Sequence, residues 1–146
     1  MKKVLALCML SVVWVLSCDK ATLTDEEMER CRDVYCTAVV ETIKLTVVDQ
    51  SGNPVALDRI KVTRAADGKD LTESYTDDEW AAFQQLGSYP LLNDGHEGDV
   101  PKFRDTNIRF QGYVGNREVV SADYVATFTC CHIDLVSGEQ ELVVNR

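Results

Sequence analysis

Thr42-Ile43-Lys44-Leu45-Thr46-Val47-Val48-Asp49-Gln50-Ser51-Gly52-Asn53-Pro54-Val55 is the stretch that decides the fold. Ile43, Leu45 and Val47 alternate with Thr42, Lys44 and Thr46. A period of two puts the first set on one face of a strand and the second on the other, so this is a strand with one buried face. Ser51-Gly52-Asn53-Pro54 then breaks it: Gly52 and Asn53 tolerate left-handed φ, and Pro54 starts the outgoing segment.

Working outward, Ile60 and Val62 alternate again before Asp67-Gly68, a hairpin signal, and Leu71 resumes an extended segment. Further strands are expected over 108–113, 119–120, 124–133 and 141–145, separated by Val114-Gly115-Asn116-Arg117, Ser121-Ala122-Asp123 and Ser137-Gly138-Glu139. Between Thr76 and Gly87 the pattern turns helical. Thr76 stands as N-cap, Asp77, Asp78 and Glu79 fill the first turn, and Trp80, Phe83 and Leu86 share one side as packing residues. The expected class is mostly β: a two-sheet sandwich of about seven strands, prealbumin-like or immunoglobulin-like, with one short helix lying across one end.

The chain of 146 residues divides into three stretches. Residues 1–17 read as a bacterial lipoprotein signal: Lys2-Lys3, an uncharged run over 4–16, then Val15-Leu16-Ser17 before Cys18. The run is shorter than the roughly 20 helical residues a bilayer requires, so a lipid on Cys18 is the expected anchor. Residues 18–33 read as the lipidated cysteine and a polar tether, in which Thr24 and Glu27 form a capping pair for a short helix running toward Cys31. Residues 34–146 are the sandwich domain. The expected location is the cell envelope, most simply the outer membrane on its periplasmic or surface face, although Asp19 after the cysteine is an inner-membrane retention signal in some enteric bacteria.

Without Lys2 and Lys3, thirteen basic residues face 24 acidic ones, a net charge of −11. Nucleic acid and anionic headgroups need a basic footprint, so neither is expected as a partner. The partners are the membrane, through Cys18, and a protein or glycan ligand.

Four more cysteines, Cys31, Cys36, Cys130 and Cys131, lie at the two ends of the domain. An even count in an exported chain means disulfides, here in three possible connectivities. Bridges between the two groups would close loops of about 95–100 residues, worth up to about 4.7 kcal/mol in the chain-entropy model. Cys130 and Cys131 are adjacent in an expected strand and point to opposite faces, one toward the first strand and the other toward the N-terminal segment. A zinc site of these thiols with His132 fits no common finger spacing.

The first strand and its turn, with Ile60-Lys61-Val62 and Asp67-Gly68, resemble the opening hairpins of the carboxypeptidase regulatory-like domain, a prealbumin (transthyretin)-like sandwich, over residues 42–72. Gly87-Ser88-Tyr89-Pro90-Leu91-Leu92-Asn93-Asp94, Phe110-Gln111-Gly112 and Cys130-Cys131-His132-Ile133-Asp134-Leu135-Val136-Ser137-Gly138 resemble a class of small lipoproteins of Gram-negative cell envelopes that carries no assigned activity. The resemblance implies an envelope module. Transthyretin-related hydrolases use an early histidine and arginine and a terminal Tyr-Arg-Gly-Ser, a pattern that Leu142-Val143-Val144-Asn145-Arg146 does not follow.

Chemistry is sparse. His96 and His132 are the two histidines, and no Ser/His/Asp or Cys/His set follows from spacing, so a non-enzymatic protein without a cofactor is expected. Asn93-Asp94-Gly95-His96-Glu97-Gly98-Asp99 gathers oxygen ligands and an imidazole, which makes Asp94, His96, Glu97 and Asp99 weak candidates for a cation such as calcium. Tyr75, Tyr89, Tyr113 and Tyr124 are candidates for a ligand face, more simply read as packing residues. The expected function is a binding or accessory module of the envelope. The alternatives are an assembly component with an open strand edge and, last, a small hydrolase.

Overall fold

The structure is a computed structural model and describes residues 23–144; Cys18 and the signal segment 1–17 lie outside the described residues. Helix α1 spans Asp25–Cys31, then come β1 Thr42–Asp49, β2 Arg59–Arg64, α2 Asp77–Leu86, β3 Ser88–Asn93, a 3-10 turn Asp94–His96, β4 Thr106–Val114, β5 Arg117–Phe128, β6 Ile133–Ser137 and β7 Glu141–Val144. The strands form two sheets, ordered β3-β1-β7 and β2-β4-β5-β6. Their inner faces merge in one core, with Leu45 and Val47 of the first sheet and Val62, Phe110, Ala126 and Phe128 of the second all buried. This is a two-sheet β-sandwich.

The alternation in β1 does what its period dictates. Ile43, Leu45 and Val47 are buried and Lys44 is exposed. Val48, on the other face, is buried too because the turn carries Pro54 back into a bridge beside it. In that turn Asp49 Oδ1 accepts from the N–H groups of Ser51 (2.8 Å) and Asn53 (3.0 Å). Gly52 takes the left-handed conformation at φ 80°, whereas Asn53 keeps a negative φ.

Strand β3 is buried on both faces from Tyr89 to Leu92. Its register against β1 jumps, with Ile43 opposite Leu92 and Lys44 opposite Pro90, so Leu91 is the extra residue of a bulge. The bulge lets neighbouring leucines both serve the core. Pro90, which has no N–H to give, is tolerated because β3 is an edge strand.

Helix α2 begins as its sequence prescribes. Thr76 Oγ1 accepts from the Glu79 N–H at 3.3 Å, and Glu79 Oε2 accepts from the Thr76 N–H at 2.8 Å. It ends at Gly87, where φ is 62° and a methyl group would sit 2.7 Å from the Val47 carbonyl oxygen. That carbonyl-lined corner feeds α2 directly into β3. Trp80 and Phe83 pack against the core, but Leu86, expected beside them, is 65% exposed.

The capping pair expected in the tether, Thr24 and Glu27, forms a capping box and starts α1, so the described residues hold two α-helices, of which α2 is the one helix of the sandwich. The described part of the expected tether is therefore helical, and it is fastened to the sandwich by a disulfide and by Arg30 lying 5.6 Å from the Phe103 ring centroid. Ser121-Ala122-Asp123, expected as a turn, lies inside the long strand β5. The cross-strand pair Arg109–Asp123, at 2.8 Å, favours continued pairing there over a turn. Conversely the strand expected over 124–133 stops at Phe128. Thr129 Oγ1 accepts from the N–H groups of Cys131 (3.4 Å) and His132 (3.3 Å), which folds 129–132 into a turn. After Asp67-Gly68 the returning extended segment pairs back on β2 through a bridge, Thr63 to Asp70, and the Leu71 N–H donates to the Val62 carbonyl at 2.8 Å.

Candidate functional site

Two disulfides join the ends of the domain, Cys31 to Cys130 and Cys36 to Cys131. The linkage between the two cysteine groups is as the sequence suggested. The opposite-face argument is not, because Cys130 and Cys131 sit in the turn after β5 and both bond to cysteines of the N-terminal segment that precedes β1.

Asp94 is the anchor beneath these bridges. Its Oδ1 accepts from the Ile133 N–H at 2.9 Å, and its Oδ2 accepts from the Glu41 N–H at 2.8 Å. The same Oδ2 lies 2.8 Å from His132 Nδ1, and His132 Nε2 lies 3.3 Å from the Thr37 hydroxyl. Burial pushes the Asp94 carboxyl up, but His132 and the Ile133 and Glu41 amides outweigh it and hold the carboxyl below its ordinary value.

The other cation candidates turn away from Asp94. His96 is buried between backbone groups, with Nδ1 accepting from the Asn93 N–H at 3.2 Å and Nε2 donating to the Leu71 carbonyl at 3.0 Å. Glu97 pairs with Lys102 at 2.7 Å, and Asp99 pairs with Lys69. Among the described residues no three His, Cys, Asp or Glu side chains converge as a metal site.

A second arrangement lies beside α2. Asp58, Arg59 and Ile60 of the β2 entry, Thr72, Glu73, Tyr75 and Asp77 of the following segment, and Trp80 of α2 line a cleft of about 250 Å³. The Tyr75 and Trp80 rings stack with centroids 6.5 Å apart, Phe83 meets both edge-on, and Trp80 rests on buried Tyr89. The Tyr75 hydroxyl donates to Glu73 Oε2 at 3.1 Å; burial first, and then the Glu73 charge, push its ionisation upward. Asp58 Oδ2 accepts from the Gly115 N–H at 2.6 Å. Among the described residues that line the cleft the one cation is Arg59, which lies 3.7 Å from the Tyr113 ring centroid.

Of the four tyrosines, Tyr89 and Tyr124 are packing residues, fully buried and bonded to backbone groups. Tyr113 is covered by Arg59, and only Tyr75 faces the cleft. Thr37, Asp58 and Glu73 are not among the candidates the sequence offers, and the α2 aromatics, Trp80 among them, read there more simply as core than as a ligand platform. For Thr37 a signal was present: it follows Cys36 as His132 follows Cys131, so a Cys36–Cys131 bridge places hydroxyl and imidazole side by side. Comparison of the chain with protein-family models, with curated proteins and with solved structures found no match.

Proposed function

We propose that the protein is a lipid-anchored module of the cell envelope, held at the outer membrane through Cys18, whose cleft beside α2 binds a basic side chain of a protein ligand. The anchor rests on the order of basic residues, apolar run and cysteine over 2–18. The disulfide pair supports an oxidising compartment. On residues 42–72 the sandwich is taken as prealbumin-like, of the carboxypeptidase regulatory-like type.

The observation that carries the ligand class is an aromatic pair opening on a rim of carboxylates. Asp58, Glu73 and Asp77 outnumber Arg59, and the Tyr75 and Trp80 rings offer π faces to a cation. A volume of about 250 Å³ is below the roughly 300–1,000 Å³ of small-molecule sites and suits one inserted lysine or arginine side chain. The assembly alternative draws on a different feature: β7 is an edge strand whose Val143 is 50% exposed.

Trp14 and Trp80 are the two tryptophans, so quenching that is lost in Trp80→Phe reports on the cleft. Titration of the full chain with lysine- or arginine-containing peptides should quench Trp80, more weakly as salt rises. Quenching by neutral oligosaccharides, with none from basic peptides, would replace this reading with a glycan-binding one.

A further inference from the structure

The bridge Cys36–Cys131 is followed directly in each arm by Thr37 and His132, so one covalent link holds a hydroxyl against an imidazole. The protonation pattern follows from the partners. Asp94 Oδ2 is a carboxylate oxygen and only accepts, so His132 Nδ1 carries the proton that bridges their 2.8 Å separation. In neutral His132, Nε2 is then the acceptor, and the Thr37 hydroxyl at 3.3 Å donates to it. Asp94 is itself held by two backbone N–H groups from separate segments, Glu41 and Ile133. Hydroxyl, base and oriented carboxylate are the three parts of an activated nucleophile.

The surroundings favour an acyl substrate. Thr37 lies in an exposed segment, and the N–H groups of Cys36, Thr37 and Ala38 make no hydrogen bond among the described residues, so they remain available to a developing oxyanion. The same segment presents Val34 (48% exposed), Tyr35 (97%), Val39 (62%) and Val40 (66%) to solvent, an apolar surface beside the hydroxyl.

We propose that Thr37 is an acyl-accepting nucleophile with His132 as its general base and Asp94 as the residue that positions His132, and that its substrates are carboxylic esters with an apolar acyl group. This goes beyond the binding reading and uses none of the cleft residues. Thr37 Oγ forms a bond to the ester carbonyl carbon while its proton passes to His132 Nε2. The tetrahedral intermediate collapses, the carbon–oxygen bond to the leaving alcohol breaks, and that alcohol takes the proton from His132. The acyl group stays on Thr37 as an ester until water, deprotonated by His132, repeats the sequence and releases a carboxylic acid.

The test is reaction of the purified full chain with p-nitrophenyl acetate and p-nitrophenyl octanoate, followed by nitrophenolate release and peptide mass spectrometry. The octanoyl adduct is expected on the peptide bearing Thr37, formed faster than the acetyl adduct, retained in Thr37→Ser and absent from Thr37→Ala. His132→Gln should slow adduct formation by about a hundredfold or more, the usual worth of a general base. Asp94→Asn, which removes the charge and replaces one of the two accepting oxygens with an NH2 donor, should change the shape of the pH–rate profile as well as its height, which a merely structural loss would not do. Near-ultraviolet circular dichroism identifies any variant that has failed to fold, and Thr37→Ser then carries the test. No adduct at Thr37 in the wild type, or an equal rate in folded His132→Gln, overturns the proposal.

Discussion

Tyr89→Phe isolates one hydroxyl at the centre of the sandwich. The ring is fully buried; its oxygen accepts from the Leu57 N–H at 2.7 Å and its proton goes to the Val55 carbonyl at 2.8 Å. Phenylalanine keeps the ring, so packing against Trp80 survives and only the two hydrogen bonds are lost. Each buried group left without its partner costs about 1–3 kcal/mol, and some relaxation is available to a backbone segment between strands, so a loss of about 3 kcal/mol is expected. At a urea dependence of about 2 kcal/mol/M, typical of a domain of this size, the unfolding midpoint falls by about 1.5 M. The assay is urea unfolding with disulfides intact, followed by Trp80 fluorescence, with Tyr35→Phe as the reference change because Tyr35 is 97% exposed. A midpoint within about 0.25 M of wild type, the range of neutral surface substitutions, would show that the hydroxyl does not tie β3 to the 55–57 segment.

Cys18→Ala should abolish metabolic labelling by a fatty acid analogue that marks the wild type; equal labelling of both would remove the lipid anchor from the reading. Gly138→Ala should destabilise by at least about 2 kcal/mol, because Gly138 sits at φ 125° and a methyl group there would overlap the Tyr124 ring; an unchanged melting temperature would contradict that placement. Stability should fall on acidification. Arg64 holds the Asp67 carboxyl down to about 2, and His132 with two backbone amides keeps Asp94 low against its burial. Carboxyls lowered in the folded state stabilise it above the unfolded value of roughly 4 and lose that contribution as pH drops through their folded values. Melting temperature should therefore decline between about pH 4 and pH 2, and less steeply in Asp94→Asn. Calcium titration should leave the melting temperature unchanged, since Glu97, Asp99 and Asp94 are each engaged by Lys102, Lys69 and His132.

The parts of this molecule readable in its sequence are those where local chemistry and tertiary need agree. The β1 alternation, the Gly52 turn and the capped start and Gly87 stop of α2 are written within a few residues of each other. What misleads is local signal that tertiary partners override. Ser121-Ala122-Asp123 has turn composition, yet Arg109 across the strand claims Asp123. Thr129 looks like a strand residue, yet its hydroxyl closes a turn. The candidate sites were less legible, because both depend on distant residues. The cleft combines positions 58–60 with 72–80, and the Thr37–His132–Asp94 contact spans the length of the domain.

The parallel pairing of β1 with β7 has a consequence for how the chain comes to be folded in time. Thr46 pairs with Glu141, and the two disulfides join residues 95 and 99 positions apart. Contacts of such long range are entropically late, since the intervening chain must be drawn in before they yield anything. During synthesis β1 therefore waits with one edge bare until β7 is made, and Cys31 and Cys36 wait as thiols for Cys130 and Cys131. Over that interval the nascent domain is exposed to strand capture by neighbours and to premature pairing of Cys31 with Cys36, hazards that vanish together once residues 130–144 have arrived.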